Sequence, residues 1–323
     1  MSLNEFQMIT QYFQSAFTTD DVLLGIGDDA AIIQPLPGHR MLVSADTLVE
    51  SVHFPRDAPP DLVARRALRV NLSDMAAMAA QPRWFTLALT LPETNSDWLE
   101  SFSKGLLEDA EAFGCCLVGG DTTRGPLNIG IQIMGTVAED KPALTRSGAQ
   151  SGDLLLVTGN LGGAAGALEY LDQSGTDQGV DQDVLQLCDR YWLPEPRIVF
   201  AQKAAHLINA ACDISDGLLA DVGHICTASG LGVQVQADRL PLSGALKNVC
   251  GSDATRLAMT GGDDYELCMA VAPENLSAIE QIATELEVPV TEVGVFKKGE
   301  TGVSCLDKNG EIIEFESAGY SHF

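Results

Sequence analysis

Six short stretches share one pattern, an apolar run that ends in small residues and aspartate: GIGDDAA, SADT, NLSDMAA, GGDTT, DISDGL and GGDDYEL. Among the acids of this pattern, Asp29, Asp46, Asp74, Asp121, Asp213 and Asp216 could supply ligand oxygens if the fold brings them together. Short acids beside glycine are what a site needs when stiff loops hold oxygen ligands close to a hard cation. Mg²⁺ takes such ligands in near-octahedral geometry and commonly bridges from one or two carboxylates to substrate phosphates. Left without cations, six carboxylates in one cleft would repel, and several would have to hold protons. The plainer reading of any one of them is a helix N-cap or a turn residue, and Asp74 at the head of an Ala and Met run is a case in point.

Other residues bear on the same chemistry. GNLGGAAG (159–166) lies between a strand-like and a helix-like segment, where backbone amides favour an anion; a tight turn with close helix packing explains it equally. It fits neither the P-loop nor the dinucleotide spacing. Arg146 in LTRSG has the fork geometry for a phosphate oxygen, or for an ordinary ion pair. His53 in VESVHFP is either a ligand contact or a structural histidine. No GxSxG elbow is present, and Cys115 and Cys116 lie in a strand-like run expected to be buried. Acids, glycines and an arginine without a nucleophile leave direct phosphoryl transfer between bound substrates.

These residues need a scaffold. With 323 residues the chain suits two domains. The turn-rich PALTRSGAQSGD segment divides it, giving 1–148 and 149–323. In the first half, LLGIGDDAAII and MLVSADTLVE read as neighbouring strands, DLVARRALRVNLSDMAAMAA as a long amphipathic helix, RWFTLALTLP as a strand. SDWLESFSKGLLEDAEAFG follows as a helix with Ser96 at its N-cap and Gly114 at its end, then CCLVGGDTTRG and LNIGIQIMGTV as strands. In the second half, DLLLVTGNLGGAAGALEYL reads as strand, glycine loop and helix, and AQKAAHLINAACDISDGLLADVGHICTASG as helix with an acidic break. LGVQVQADRLP and YELCMAVAP read as strands, and NLSAIEQIATEL as a helix. Strands and helices mix in both halves, which predicts two layered α/β or α+β domains.

A net charge of −26 argues against nucleic acid and anionic membrane as partners. No secretory leader or membrane-length apolar window is visible, which favours the cytoplasm. Eight scattered cysteines without a CxxC pair read as reduced core thiols.

Taken together, GIGDDAA, VNLSDMAAMAA, GGDTTRGP, ALTRSGA, DISDGL and GGDDYEL resemble the thiamine-monophosphate kinase family. That family falls within an ATP-binding superfamily with aminoimidazole ribonucleotide synthetase, selenophosphate synthetase and a hydrogenase maturation protein. The likeness runs from about Gly25 to Tyr320. It implies transfer of the γ-phosphoryl of ATP to thiamine monophosphate, with several Mg²⁺ ions. It also implies an N-terminal domain whose sheet pairs across a homodimer into a barrel, and a C-terminal α/β domain that completes the active-site cleft. Carried onto this sequence, the Mg²⁺ positions fall on Asp29, Ser44, Asp46, Asp74, Asp121, Asp213 and Asp216. The ATP positions fall on Gly120, Asp121, Arg146 and Ser215, and the substrate positions on His53, Asp263 and Tyr320. No nucleophile or general base is implied. Alternatives are another ATP-dependent synthetase of the superfamily, or a non-catalytic metal- or nucleotide-binding module.

Overall fold

The computed structural model describes residues 5–14, 16–173, 181–299 and 301–321. The chain divides into two compact units: residues up to Met75 with Ala80–Lys141, and Ala76–Ala79 with Pro142 onward.

The first unit opens with α1 (Glu5–Tyr12) and two short strands, β1 (Val22–Leu24) and β2 (Ile32–Ile33), paired antiparallel as a separate two-stranded sheet. LLGIGDDAAII is therefore not one strand beside MLVSADTLVE. It is a small hairpin whose tip carries Asp28 and Asp29, because two glycines and two aspartates in five residues favour a turn over an extended ladder. Next come β3 (His39–Val49), α2 (Pro60–Ala77), β4 (Gln81–Leu91), α3 (Ser96–Ala112), β5 (Cys116–Arg124) and β6 (Asn128–Ala138). The sheet order is β3-β6-β4-β5, with β3 and β4 antiparallel to β6 and β5 parallel to β4. A parallel neighbour requires a crossover, which α3 supplies. The N-cap of α3 is Asn95, not Ser96: its side-chain oxygen accepts from the amides of Asp97 and Trp98 at 3.0 and 3.1 Å. Helices α2 and α3 are clasped by Asp109, which pairs with Arg65 at 2.5 Å and Arg69 at 2.6 Å. Trp84, Phe85 and Phe102 are fully buried in this unit.

The second unit holds β7 (Leu154–Thr158), α4 (Gly163–Ala167), α5 (Gln182–Trp192), α6 (Ile198–Ala204), β8 (Ile208–Asp213) and α7 (Leu218–Ser229). These are followed by β9 (Gly232–Gln236), α8 (Gly244–Cys250), α9 (Ala254–Thr260), β10 (Leu267–Val271), α10 (Leu276–Glu285), β11 (Val290–Lys297), β12 (Gly302–Leu306) and β13 (Ile312–Ile313). Seven strands form one sheet in the order β13-β12-β9-β11-β7-β10-β8, antiparallel except for β9 with β12. The segment read as helix with an acidic break contains β8. INAACD is a short apolar run with Asp213 at its end, and its residues pair with β10 in the sheet. Leu155, Val157, Val222, Ile225, Cys268 and Phe296 belong to the apolar core of this unit.

Candidate functional site

In the first unit the hairpin tip and the end of β5 enclose a cavity of about 550 Å³, within the range of small-molecule sites. GIGDDAA and GGDTT, far apart in sequence, both line it: Asp28 and Asp29 from one, Gly120 and Asp121 from the other. Asp28 turns its Oδ1 back to accept from the amide of Asp29 at 2.8 Å, the local bond that fixes this tip. Gly120 packs against β4, where a Cβ would lie 1.9 Å from the carbonyl oxygen of Leu87, so no larger residue fits. Asp29 and Asp121 are both exposed.

A second set is built where β3 meets α2. Residues two apart share one face of a strand, and residues three apart share one face of a helix. Ser44 and Asp46 thus meet Asp74 and Asn71: the Ser44 hydroxyl donates to Asp74 Oδ2 at 2.5 Å, and Asn71 Oδ1 accepts from the Asp46 amide at 3.2 Å. Asp74 lies near the C-terminal end of α2, which excludes the N-cap reading. A carboxylate there opposes the helix dipole, so it brings no gain to the helix itself. His53 Nδ1 accepts from the Val49 amide at 3.0 Å just past the end of β3, which leaves Nε2 as the protonated nitrogen. Asp121 pairs in register with Ala88, Ala88 with Gly130 and Gly130 with Thr47, one residue out of step with Asp46.

In the second unit the loop after β8 gathers Asp213, Ser215 and Asp216. The carboxylate of Asp221, in the first turn of α7, accepts from the amides of Ser215, Asp216 and Gly217 at 3.0 to 3.1 Å. Burial is the main cause of the rise of its pKa to about 7; the negative charge of Asp216 adds to it, and the three amides oppose it. The outward carbonyls of the same loop then reach the predicted substrate residues: Ser215 O accepts from the Asp263 amide at 2.8 Å, and Asp216 O from the Tyr320 amide at 2.9 Å. Asp263 and Tyr265 both have left-handed backbones, φ 71° and 51°, and the Tyr265 hydroxyl donates to Asp263 Oδ1 at 3.2 Å. For a tyrosine this is a strained conformation, the kind that clusters at functional sites. Arg146 is exposed on the segment that runs along β8, where Thr145 O accepts from the Ala211 amide at 2.9 Å.

The glycine loop takes its acceptor from within the chain. Gly162 N donates to both carboxyl oxygens of Asp264, at 3.0 and 2.7 Å, and α4 behind it has only five residues. Burial lifts the Asp264 pKa to about 8, against the Gly162 amide and the charge of Arg190. Glu266, fully buried, accepts from Arg190 at 2.5 Å, from Arg197 at 2.7 Å through each of two nitrogens, and from Thr158 at 2.7 Å. Its burial alone would raise its pKa, but the two arginines and Thr158 hold it below the ordinary glutamate value. Sequence reading missed this network; the available signal was three acids in DDYEL entering the wholly apolar strand β10, a placement that demands partners.

Among the described residues no three of His, Cys, Asp and Glu converge as a ready-made metal cage. The donors present are all oxygen, two of them facing one cavity, which fits a cation that is completed by phosphate and water rather than by protein alone. No helix among the described residues is long and apolar enough to cross a membrane.

Family models described as AIR synthase related protein, N-terminal domain, and AIR synthase related protein, C-terminal domain, match residues 27–137 and 150–305. The chain is 42% identical over 325 residues to the thiamine-monophosphate kinase of Escherichia coli strain K12, across 100% of this chain and 99% of that relative. The chain belongs to the thiamine-monophosphate kinase family. Among solved members of the family, thiamine-monophosphate kinase from Stenotrophomonas maltophilia K279a superposes with a TM-score of 0.84 at 41% identity, over 97% of this chain and 99% of that one. AaThiL complexed with AMPPCP and TMP gives 0.79 at 31%, over 92% of each chain. The resemblance seen in the motifs and the two-domain mixed α/β fold are both borne out.

Proposed function

We propose that this protein transfers the γ-phosphoryl group of ATP to the phosphate of thiamine monophosphate, giving thiamine diphosphate and ADP. The observation that carries the reading is the likeness, over 92% of each chain, to AaThiL in complex with AMPPCP and TMP, taken as an ATP analogue and thiamine monophosphate. Full-length identity of 42% to a thiamine-monophosphate kinase supports it.

In this reading Asp29, Ser44, Asp46, Asp74, Asp121, Asp213 and Asp216 hold Mg²⁺, which when bound neutralises phosphate charge. Gly120, Asp121, Arg146 and Ser215 bind ATP, and His53, Asp263 and Tyr320 bind the substrate. Residues 1–148 carry the nucleotide and dimer functions, and 149–323 supply the remaining site residues. The chain's own task is to position two phosphates in line. His53 presents Nε2–H as a donor, because Nδ1 is already engaged by Val49. Arg146 offers a two-pronged donor for a phosphate. No side chain needs to act as base, since a phosphate monoester, with a second pKa near 6, already exposes an ionised oxygen at neutral pH. Transfer is direct, without a phosphoenzyme.

A homodimer is part of the proposal. β3 is an edge strand of eleven residues with Met41 43% and Val43 56% exposed, and such an edge is a template for pairing with a second chain. We place the protein in the cytoplasm; the eight cysteines form no disulfide.

The test is ADP formation with and without thiamine monophosphate, in the parent and in Asp74→Ala and Asp213→Ala. Turnover that depends on thiamine monophosphate is expected in the parent, and loss of it with unchanged circular dichroism in both variants. Tight nucleotide binding without substrate-dependent ADP would make the protein a binding module instead. Label from γ-labelled ATP retained on the denatured protein would overturn direct transfer.

A further inference from the structure

Asp221 is buried, and one of its oxygens, Oδ2, accepts from three successive amides: those of Ser215 and Asp216 at 3.0 Å and that of Gly217 at 3.1 Å. An acid at the start of a helix ordinarily takes the orphan amides of that helix's own first turn. Here the donors lie at Gly217 and before it, upstream of Leu218 where α7 begins, so the side chain shapes the loop rather than caps the helix. Its own place is fixed, because Leu218, Val222 and Ile225 of α7 belong to the apolar core.

Amides turned inward leave the carbonyls of the loop turned outward, and two of these are used. Ser215 O accepts from the Asp263 amide at 2.8 Å and Asp216 O from the Tyr320 amide at 2.9 Å. Both approaches are close: a Cβ on Gly262 would lie 2.5 Å from Ser215 O, and one on Gly319 2.5 Å from Asp216 O. Each segment therefore reaches the loop only because glycine precedes the residue it delivers. Asp263 and Tyr320, from distant parts of the chain, thus take their positions from one loop, and that loop takes its shape from one side chain. Without the acceptor, donors left unmatched away from water are costly, and the loop would turn to satisfy them elsewhere. Strand β8 does not depend on it, since the Ile214 amide donates to Glu266 O and the Ile214 carbonyl accepts from the Tyr265 amide, both at 2.8 Å.

We propose that Asp221 is a positioning residue for phosphoryl transfer: by gathering the amides of residues 215–217 it holds Ser215 and Asp216 on the nucleotide and metal side, and Asp263 and Tyr320 on the substrate side, in one frame. The assignment rests on the kinase reading of those four residues. Asp221 itself touches neither substrate.

The full chain is compared with Asp221→Leu, close in volume and without an acceptor, and with Asp221→Asn, which keeps one oxygen; Asp221→Ala replaces the leucine variant if that does not fold. Amide hydrogen exchange at residues 215–217, read without ligand, should be slow in the parent and about tenfold or more faster in Asp221→Leu. Equilibrium dialysis of AMPPCP with Mg²⁺ and, separately, of thiamine monophosphate should show both affinities falling about tenfold or more in Asp221→Leu and mostly recovered in Asp221→Asn. Arg146→Ala, outside the loop, should weaken AMPPCP alone. A merely stabilising Asp221 would lower the urea midpoint and leave both affinities of the folded protein unchanged. Three results would overturn the proposal: fast exchange at these amides in the parent, retained affinity for either ligand without the acceptor, or an asparagine variant no better than the leucine one. Exchange needs no ligand, and substrate-dependent ADP formation by the parent judges the kinase reading apart from it.

Discussion

Two Gly-Gly-Asp motifs in this chain have opposite fates. In GGDTT (119–123) the acid is turned outward: Asp121 is exposed and shares a cavity with Asp29. In GGDDYEL (261–267) two of the three acids are turned inward: Asp264 takes the Gly162 amide, and Glu266 takes Arg190, Arg197 and Thr158. The local code is nearly the same. What separates them is whether distant residues of the same chain deliver donors. Where the arginines arrive, the carboxylate becomes part of the fold; where none does, it remains available to a ligand.

The sharpest way to break this contrast is Glu266→Gln. It leaves Arg197, 10% exposed at the side chain, and Arg190, 27% exposed, facing a neutral group inside the protein. Removing one partner of a buried ion pair typically costs about 3–5 kcal/mol. Urea unfolding should report a loss of that order, and a loss below about 1 kcal/mol would mean that Glu266 is not what binds this region together. Gly159 enforces the same arrangement, since its backbone is left-handed at φ 59° and a Cβ there would lie 1.9 Å from Glu266 Oε1.

Asp121→Asn tests the other motif. The side chain is exposed, so the midpoint of unfolding should hold or rise slightly as repulsion from Asp28 and Asp29 is relieved. Turnover should fall by about 10²–10³, the usual size for one preorganised electrostatic group. A variant that loses stability and keeps its rate would place Asp121 with the structural acids and erase the distinction.

Why was one fate easier to read than the other? Strands such as β4 and β6 were legible because apolar residues recur along them, and the Gly and Asp clusters marked the loops where ligand-facing acids occur. The pairing of Ser44 with Asp74 follows from a period of two meeting a period of three to four, but only after β3 and α2 are known to touch. Local composition misled in three places. INAACD continues the small apolar residues of the helix before it and by composition alone reads as helix; only pairing with β10 makes it a strand. Ser96 and Asn95 are both good caps, and side-chain geometry chose Asn95. GNLGGAAG offers amides to any anion, and nothing near it in sequence says that Asp264, about a hundred residues on, will take them. Arg190 and Arg197 are likewise 76 and 69 residues from Glu266, beyond the reach of any local pattern.

The subtlest test concerns pH, because the two inward acids of GGDDYEL pull stability in opposite directions. Glu266 has a folded pKa below its ordinary value, so its contribution is present above the unfolded pKa of about 4.5 and is lost as pH falls through the folded pKa. Asp264 behaves in reverse. Burial raises it from 3.8 to about 8, so between these values the folded chain holds a proton that the unfolded chain has released. Its contribution is complete below pH 4 and is lost as pH rises towards 8. Asp264→Asn keeps an oxygen to accept from the Gly162 amide and removes the titration, leaving the Glu266 dependence in place. Measured by urea unfolding from pH 4 to 8, the parent should lose stability relative to this variant, with the gap widening across the interval and levelling above pH 8. Parallel curves would show that Asp264 stays ionised in the fold, and burial among apolar residues would then not be what distinguishes the two motifs.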